Sequence, residues 1–441
     1  MIAESVKEGL EQIKKHGLTG EVYGIESRNI SYAVEKDEIS DTSEYEELGL
    51  GIRVKVGKKV GFAYGVPGLE EKAVRKAKEL AKFQDELNIK FPKTERIPGV
   101  KTFDDDVINT MDNDEGLELT LDMLSGVKKG VTANEGGIVL FTDNKVLGST
   151  SGTFLEDSGT AVVCSVAASI KTEETALTAY ESECSRKLDI EFADVGYNAS
   201  DKVESMRDKN KVSSGKYNVV LSPTALSQIM CFSLLPSFSG ENVRKGRSVY
   251  QEKLGLKVAD EHLNLKDDPT CDWGVGSGKF DDEGVASTPL PLIEKGTLRN
   301  FMYNLKEGVK SDTESTGNGI RINFKTPPMI GERNVILEGK NTAVGTLLKE
   351  ADIYIDDVMG AHTSNAVSGD FSVVIYPGWR LKNGEKNGRL DGVLISGNIH
   401  ECLEELELAD DSRSTYLDLG GKKYVMKSPS VLLQDISIAS G

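Results

Sequence analysis

Gly49-Leu50-Gly51-Ile52-Arg53-Val54-Lys55-Val56-Gly57-Lys58-Lys59-Val60-Gly61-Phe62-Ala63-Tyr64 decides how the first part of this chain folds. Leu50, Ile52, Val54 and Val56 alternate with small or charged residues, and a period of two predicts a half-buried strand. Gly57-Lys58-Lys59 predicts a turn, from which Val60, Phe62 and Tyr64 return as a second strand. Upstream, Ile30, Tyr32 and Val34 keep the same alternation. Ile2, Val6, Leu10 and Ile13 recur instead at helical spacing, with Gly17 as a stop signal. Downstream, Leu69, Ala73, Ala77 and Leu80 predict a second helix. The unit reads as helix, antiparallel sheet, helix.

Residues 84–106 are polar, contain Pro92 and Pro98, and read as a connector. A helix is predicted over 115–127 and another over 198–208. Asp143-Asn144 between two apolar stretches signals a hairpin, and 161–167 continues the sheet. Strand-like 217–221 runs into Ser222-Pro223, an N-cap and first helical position for a helix over 224–235. Beyond it, short apolar runs separated by glycines predict a large β-rich region. The fold class is α+β: an N-terminal antiparallel sheet with packed helices (1–90, continued by 91–210) and a β-rich C-terminal domain with few helices (211–441).

Composition narrows the function. Asp and Glu number 71 against 53 Lys and Arg, a net charge of −18. Such a field repels phosphate backbones and anionic lipid surfaces, so neither nucleic acid nor membrane is an expected partner. The first ten residues carry Glu4, Lys7 and Glu8 and lack a signal-peptide core. Five cysteines, with no CxxC pair, read as reduced. The expected location is the cytoplasm.

Chemistry is harder to place. The four histidines, His16, His262, His362 and His400, lie no closer than 38 positions, whereas a zinc hydrolase wants two on one helix face. Gly274-Val275-Gly276-Ser277-Gly278-Lys279 has the wrong spacing for a phosphate loop, and Phe280 stands where Ser or Thr belongs. Asp112 to Gly116 starts like a calcium loop, but Met123 replaces its bidentate acid. Ser213-Ser214-Gly215-Lys216 precedes a strand instead of opening a helix, and Gly148 to Gly152 has Thr150 in the nucleophile's place. Cys231 stands on the predicted helix as a buried structural thiol, with a cryptic Cys231 or serine nucleophile as its rival reading. A third reading is a small-molecule or peptide-binding module at the glycine-rich turn of Asp281, Asp282, Glu283 and Gly284, although such loop acids are usually solvated.

Several segments, taken in order, resemble the TldD/PmbA family: Gly49 to Val54, Gly61 to Tyr64, Lys266 to Pro269, Phe280 to Val285, Leu292 to Leu298, Ser315 to Gly319, Val367-Ser368-Gly369-Asp370-Phe371 and Gly397 to Glu401. The resemblance implies a two-subunit peptidase. One subunit type carries zinc on an HExxxH helix and a later cysteine; the PmbA or TldE type shares the fold without that site. Here the positions implied for the metal motif hold Cys231, Phe232 and Pro236, and Gly420 stands where the cysteine is implied. On this resemblance the chain holds no cofactor and supports catalysis without performing it. Zinc is expected in a TldD-like paralogue, an extended or unstructured peptide is the substrate, and the isolated chain can form a homodimer. Asp281, Asp282, Glu283, Gly284, Ser368, Gly369, Asp370 and Phe371 become the substrate or interface candidates. The acidic surface would favour basic or flexible substrates.

Overall fold

The computed structural model describes residues 1–173, 175–419 and 422–440. Helix α1 (Ile2–Lys15) leads into the long strands β1 (Thr19–Glu35) and β2 (Glu38–Val56), followed by β3 (Lys59–Gly65) and α2 (Glu70–Ala81). After an irregular connector come α3 (Asp105–Asp112), α4 (Gly116–Ser125), β4 (Thr132–Ser149), β5 (Phe154–Lys171), β6 (Ala176–Ser185) and α5 (Phe192–Glu204). The six strands form one antiparallel sheet in the order β3-β2-β1-β4-β5-β6.

Strand parity decides what each face of this sheet meets. Even-numbered residues carry the apolar load. Val22, Ile52, Val54 and Val146 pack on Ile2, Val6 and Ala77 of the first two helices. Ile30, Ile138, Leu140, Val162 and Val166 pack on Met111, Met123, Val195 and Ala199 of the other three. Each such side chain, fully buried, is worth about 1.5–3 kcal/mol. The odd-numbered face turns toward the C-terminal half.

One expectation is corrected here. Asp143-Asn144 is no hairpin: both residues sit inside β4, where Asp143 faces Ser27 of β1 and Gly159 of β5. Partner strands on both sides outweigh the local turn preference of the dipeptide. The real reversal between β1 and β2 is Lys36-Asp37, both at positive φ. Asp37 holds it by accepting a hydrogen bond from the Ala133 N–H at 2.6 Å.

The C-terminal half is built on an 11-stranded mixed sheet. Its strand Gly215–Leu221 lies between Ile353–Ile355, parallel, and Val431–Ser440, antiparallel. Helix α6 (Pro223–Ser233) follows, capped by the Ser222 hydroxyl, which accepts from Ala225 N–H at 3.1 Å. A second six-stranded sheet includes the antiparallel pair Arg413–Leu419 and Lys422–Ser428, against which α6 packs. The halves interlock: Trp379 enters the core beneath the N-terminal helices and donates to the Ser205 carbonyl at 3.0 Å. Gly49 and Gly51 lie under Phe324. A Cβ on Gly49 would sit 2.4 Å from that ring, and one on Gly51 2.8 Å from the Phe324 carbonyl. Among the described residues, no helix is long and apolar enough to cross a membrane.

Candidate functional site

Helix α6 buries Leu226, Ile229, Met230 and Leu234 in the main core, as its apolar spacing predicts. Cys231 is 3% exposed. Burial pushes its thiol up to about 12, with the Glu332 charge adding to the shift. Around it stand Tyr424, Lys422 and Glu332. The Lys422 ammonium ion-pairs with both Glu332 oxygens, at 3.3 and 3.4 Å, and lies 4.2 Å from the centre of the Tyr424 ring. Burial and the Glu332 charge also push the Tyr424 phenol up to about 12. Phe232 makes an edge contact with His362 at 6.4 Å. Pro236 sits in a short 3-10 turn, its carbonyl accepting from the Asn242 amide at 2.9 Å. Gly420 lies outside the described residues.

These groups do not fit a zinc ion. A metal needs deprotonated thiolate, neutral imidazole or free carboxylate donors. The set offers one buried thiol, a phenol, and a carboxylate already bound by an ammonium, with no imidazole among them, and Phe232 and Pro236 bring no side-chain donor. Among the described residues, no group of three or more His, Cys, Asp or Glu is arranged to hold a metal.

The acidic turn proves to be the joint between the two halves. It reads from sequence as a solvated turn former; the structure buries Asp281, Asp282 and Glu283. Asp281 accepts from the N–H groups of Glu283, Val285 and Gly319 at 3.0, 2.8 and 2.9 Å. Burial and the neighbouring Glu283 charge still push it up to about 7. Asp282 is opposed by burial, yet Lys145 at 3.0 Å and the Arg321 N–H at 2.7 Å hold it below its ordinary range. Glu283 takes Arg53 at 2.6 Å; Arg53 also takes Glu21 at 2.7 Å, and Arg321 reaches Glu21 at 3.0 Å. Gly284, at φ +81°, presents its carbonyl to the Thr94 hydroxyl at 2.6 Å. Solvation loses here because enough cations and backbone N–H groups converge to replace water.

Ser368, Gly369, Asp370 and Phe371 fall at one edge of the large sheet. Phe371 is buried in the core and Asp370 is exposed. The Asp370 carboxylate accepts from the Ser368 hydroxyl at 2.6 Å and the Asn398 amide at 2.8 Å, which lower its pKa. Gly369 lies against the His400 ring. Among the described residues, strand pairing on the outer side of Asp370–Ile375 is confined to Val374 and Ile375, by the two-residue strand Val358–Met359, while the Asp370 carbonyl accepts from the Asn365 N–H at 2.8 Å.

Between the odd face of the N-terminal sheet and the C-terminal loops lies a cavity of about 580 Å³. Ile25, Ser27, Asn29, Phe141, Asp143 and Lys145 form much of its floor, while Glu332, Lys422 and Lys423 stand in its wall. It therefore reaches the cluster in front of Cys231. Of the substrate and metal-position candidates drawn from the resemblance, Asp282 alone is among the described residues lining this cavity. The missed signal was the odd parity of Val139, Phe141, Asp143 and Lys145, obscured by the false turn.

Comparison with known proteins places the chain in a family. Residues 214–440 match the model described as PmbA/TldA metallopeptidase C-terminal domain. Residues 20–81 match PmbA/TldA metallopeptidase domain 1. An uncharacterized protein of Methanocaldococcus jannaschii is 29% identical over 400 residues, covering 89% of this chain and 91% of its own. A zinc metalloprotease TldD homolog of Saccharolobus solfataricus is 28% identical over 199 residues, 44% of each chain. The crystal structure of TldE from Thermococcus kodakarensis shares the fold, with a TM-score of 0.87 at 22% identity over 99% of both chains. With more than half its length matched in the C-terminal domain alone, the chain belongs to the PmbA/TldD metallopeptidase family.

Proposed function

We propose that this chain is the non-catalytic, substrate-positioning subunit of a two-subunit zinc metallopeptidase in the cytoplasm, paired with a zinc-bearing TldD-like paralogue. The observation that carries the reading is the cluster in front of Cys231. Where the resemblance implies metal ligands, a lysine ammonium is already ion-paired with the one carboxylate present. The thiol beside it is neutral and buried, which also disfavours a cysteine nucleophile. The half-open edge of Asp370–Ile375 supports an extended peptide as substrate, because a free strand edge binds main chain with little regard to sequence.

The test is reconstitution. This chain, the zinc-bearing paralogue and their mixture are each assayed on an unstructured peptide, with and without a chelator. Chelator-sensitive cleavage confined to the mixture, or far stronger there, is expected, and Cys231→Ala should change it by no more than a few-fold. Chelator-resistant cleavage by this chain alone, lost on replacing one cysteine or serine, would establish an autonomous hydrolase instead.

A further inference from the structure

The cavity floor holds an acid that the fold leaves unanswered. Asp143 projects from β4 between Ser27 and Gly159. Among the described residues its carboxylate accepts no hydrogen bond and closes no direct ion pair; it feels Arg186, Lys145 and Lys423 only through space. Its acidic neighbours are committed. Asp282 holds Lys145, Asp157 holds Lys279 at 3.2 Å, and Glu332 holds Lys422. A half-buried carboxylate on a cavity floor with its lone pairs unused can accept N–H donors from a ligand.

The nearest guanidinium does not bond to that carboxylate in this arrangement. Arg186 approaches across Gly159, where a Cβ would lie 2.2 Å from its Nη1 and 3.0 Å from Asp143 Oδ1. Three of its five N–H groups are given to the carbonyls of Gly274, Thr160 and Ser277, at 3.1, 3.2 and 2.8 Å, and no hydrogen bond to Asp143 is made. Lys423 is different. It is exposed, has no ion pair among the described residues, and lays its ammonium 4.5 Å from the centre of the Phe141 ring, on the same floor as Asp143. An aromatic face beside an unpaired carboxylate suits an aliphatic stem with a cationic head.

We propose that this end of the cavity receives a lysine or arginine side chain of an extended peptide, head at Asp143 and stem on Phe141, and that Lys423 stands in its place until the peptide arrives. An acidic side chain at this end would meet repulsion from Asp143. Ser27 and Asn29, whose side chains have no hydrogen bond among the described residues, face the same space and can serve the peptide main chain. The net charge of −18 draws basic peptides toward the protein. The proposal specifies the substrate class for the positioning reading and rests on it.

The experiment measures binding, apart from cleavage. Two fluorescein-labelled decapeptides of Gly, Ala and Ser, one with a single central lysine and one with norleucine there, are titrated with this chain by anisotropy. The lysine peptide should bind about tenfold more tightly. Asp143→Asn should erase the preference, and Lys423→Met, at an exposed position that tolerates change, should enlarge it. Equal affinities for the unmodified chain, a preference surviving Asp143→Asn, or one diminished by Lys423→Met would each overturn the proposal. A preference without partner-dependent cleavage would sink the positioning reading and leave this site standing.

Discussion

Lys422 shows how one side chain can change what a pocket does. Its ammonium neutralises Glu332, which is only 6% exposed, and covers Tyr424, so the space before Cys231 already holds a cation. Lys422→Met would keep the stem and remove the charge. A buried carboxylate left alone is expensive, and the expected loss is about 3 kcal/mol, read as the urea midpoint at constant slope. Adding Glu332→Gln should recover most of it, because the double variant has no unpaired charge. A single variant as stable as the unmodified protein would mean that water already solvates Glu332, and the pocket would then be open to a metal.

At the level of elements, the helix Ile399–Glu405 and the loop of Ser368 to Asp370 depend on each other through His400. The ring lies on Gly369, and its Nδ1 meets the Tyr250 hydroxyl at 3.0 Å. Burial, with Lys253 adding, lowers the imidazole pKa to about 4. A base depressed in the folded state contributes stability above its unfolded value, near 6.5, and that contribution is lost as pH falls toward about 4. The denaturation midpoint should therefore fall from pH 7 to pH 5, and His400→Gln should flatten that fall; an unchanged slope would mean the ring is solvated. Elements of this kind were legible in the sequence when one strong period governed them, as in α1, α6 and β3. Legibility failed where tertiary contacts chose between local options. Asp143-Asn144 carries a turn signature but is held straight by strands on both sides. Lys36-Asp37 carries a weak one and turns, because Asp37 is tied to Ala133. The cavity was invisible for a related reason: its floor is the face of a sheet whose odd residues read as the polar, solvent-facing side.

For the whole molecule, the surface charge and the buried joint follow opposite rules. The chain carries −18 overall, yet at the joint three cations, Lys145, Arg53 and Arg321, meet three carboxylates, Asp282, Glu21 and Glu283. Arg53 ties the halves at this joint, since its guanidinium pairs with Glu21 of β1 and with Glu283 of the C-terminal turn. The match is not perfect: Glu21 Oε2 and Arg53 Nη2 lack partners among the described residues. A joint of this type holds orientation more than it adds stability, because the pairs largely repay their own desolvation. Removing one member is another matter. Arg53→Met would leave Glu21 with Arg321 alone and Glu283 with only the Leu305 N–H at 2.6 Å, a loss of about 3–5 kcal/mol. Glu283→Gln in the same chain should restore part of that, and the double-mutant cycle gives the coupling between halves. Trp273, whose backbone N–H bonds the Lys101 carbonyl, and Trp379, in the N-terminal core, make fluorescence sensitive to the joint and to one side of it. If the joint sets the orientation of the halves, Arg53→Met should split a single urea transition into two, Trp273 near the joint responding first, and should reduce partner-dependent cleavage more than stability alone explains. A variant that unfolds in one step at the original midpoint would show that the apolar contacts around Phe280 and Phe324 suffice to hold the halves in register.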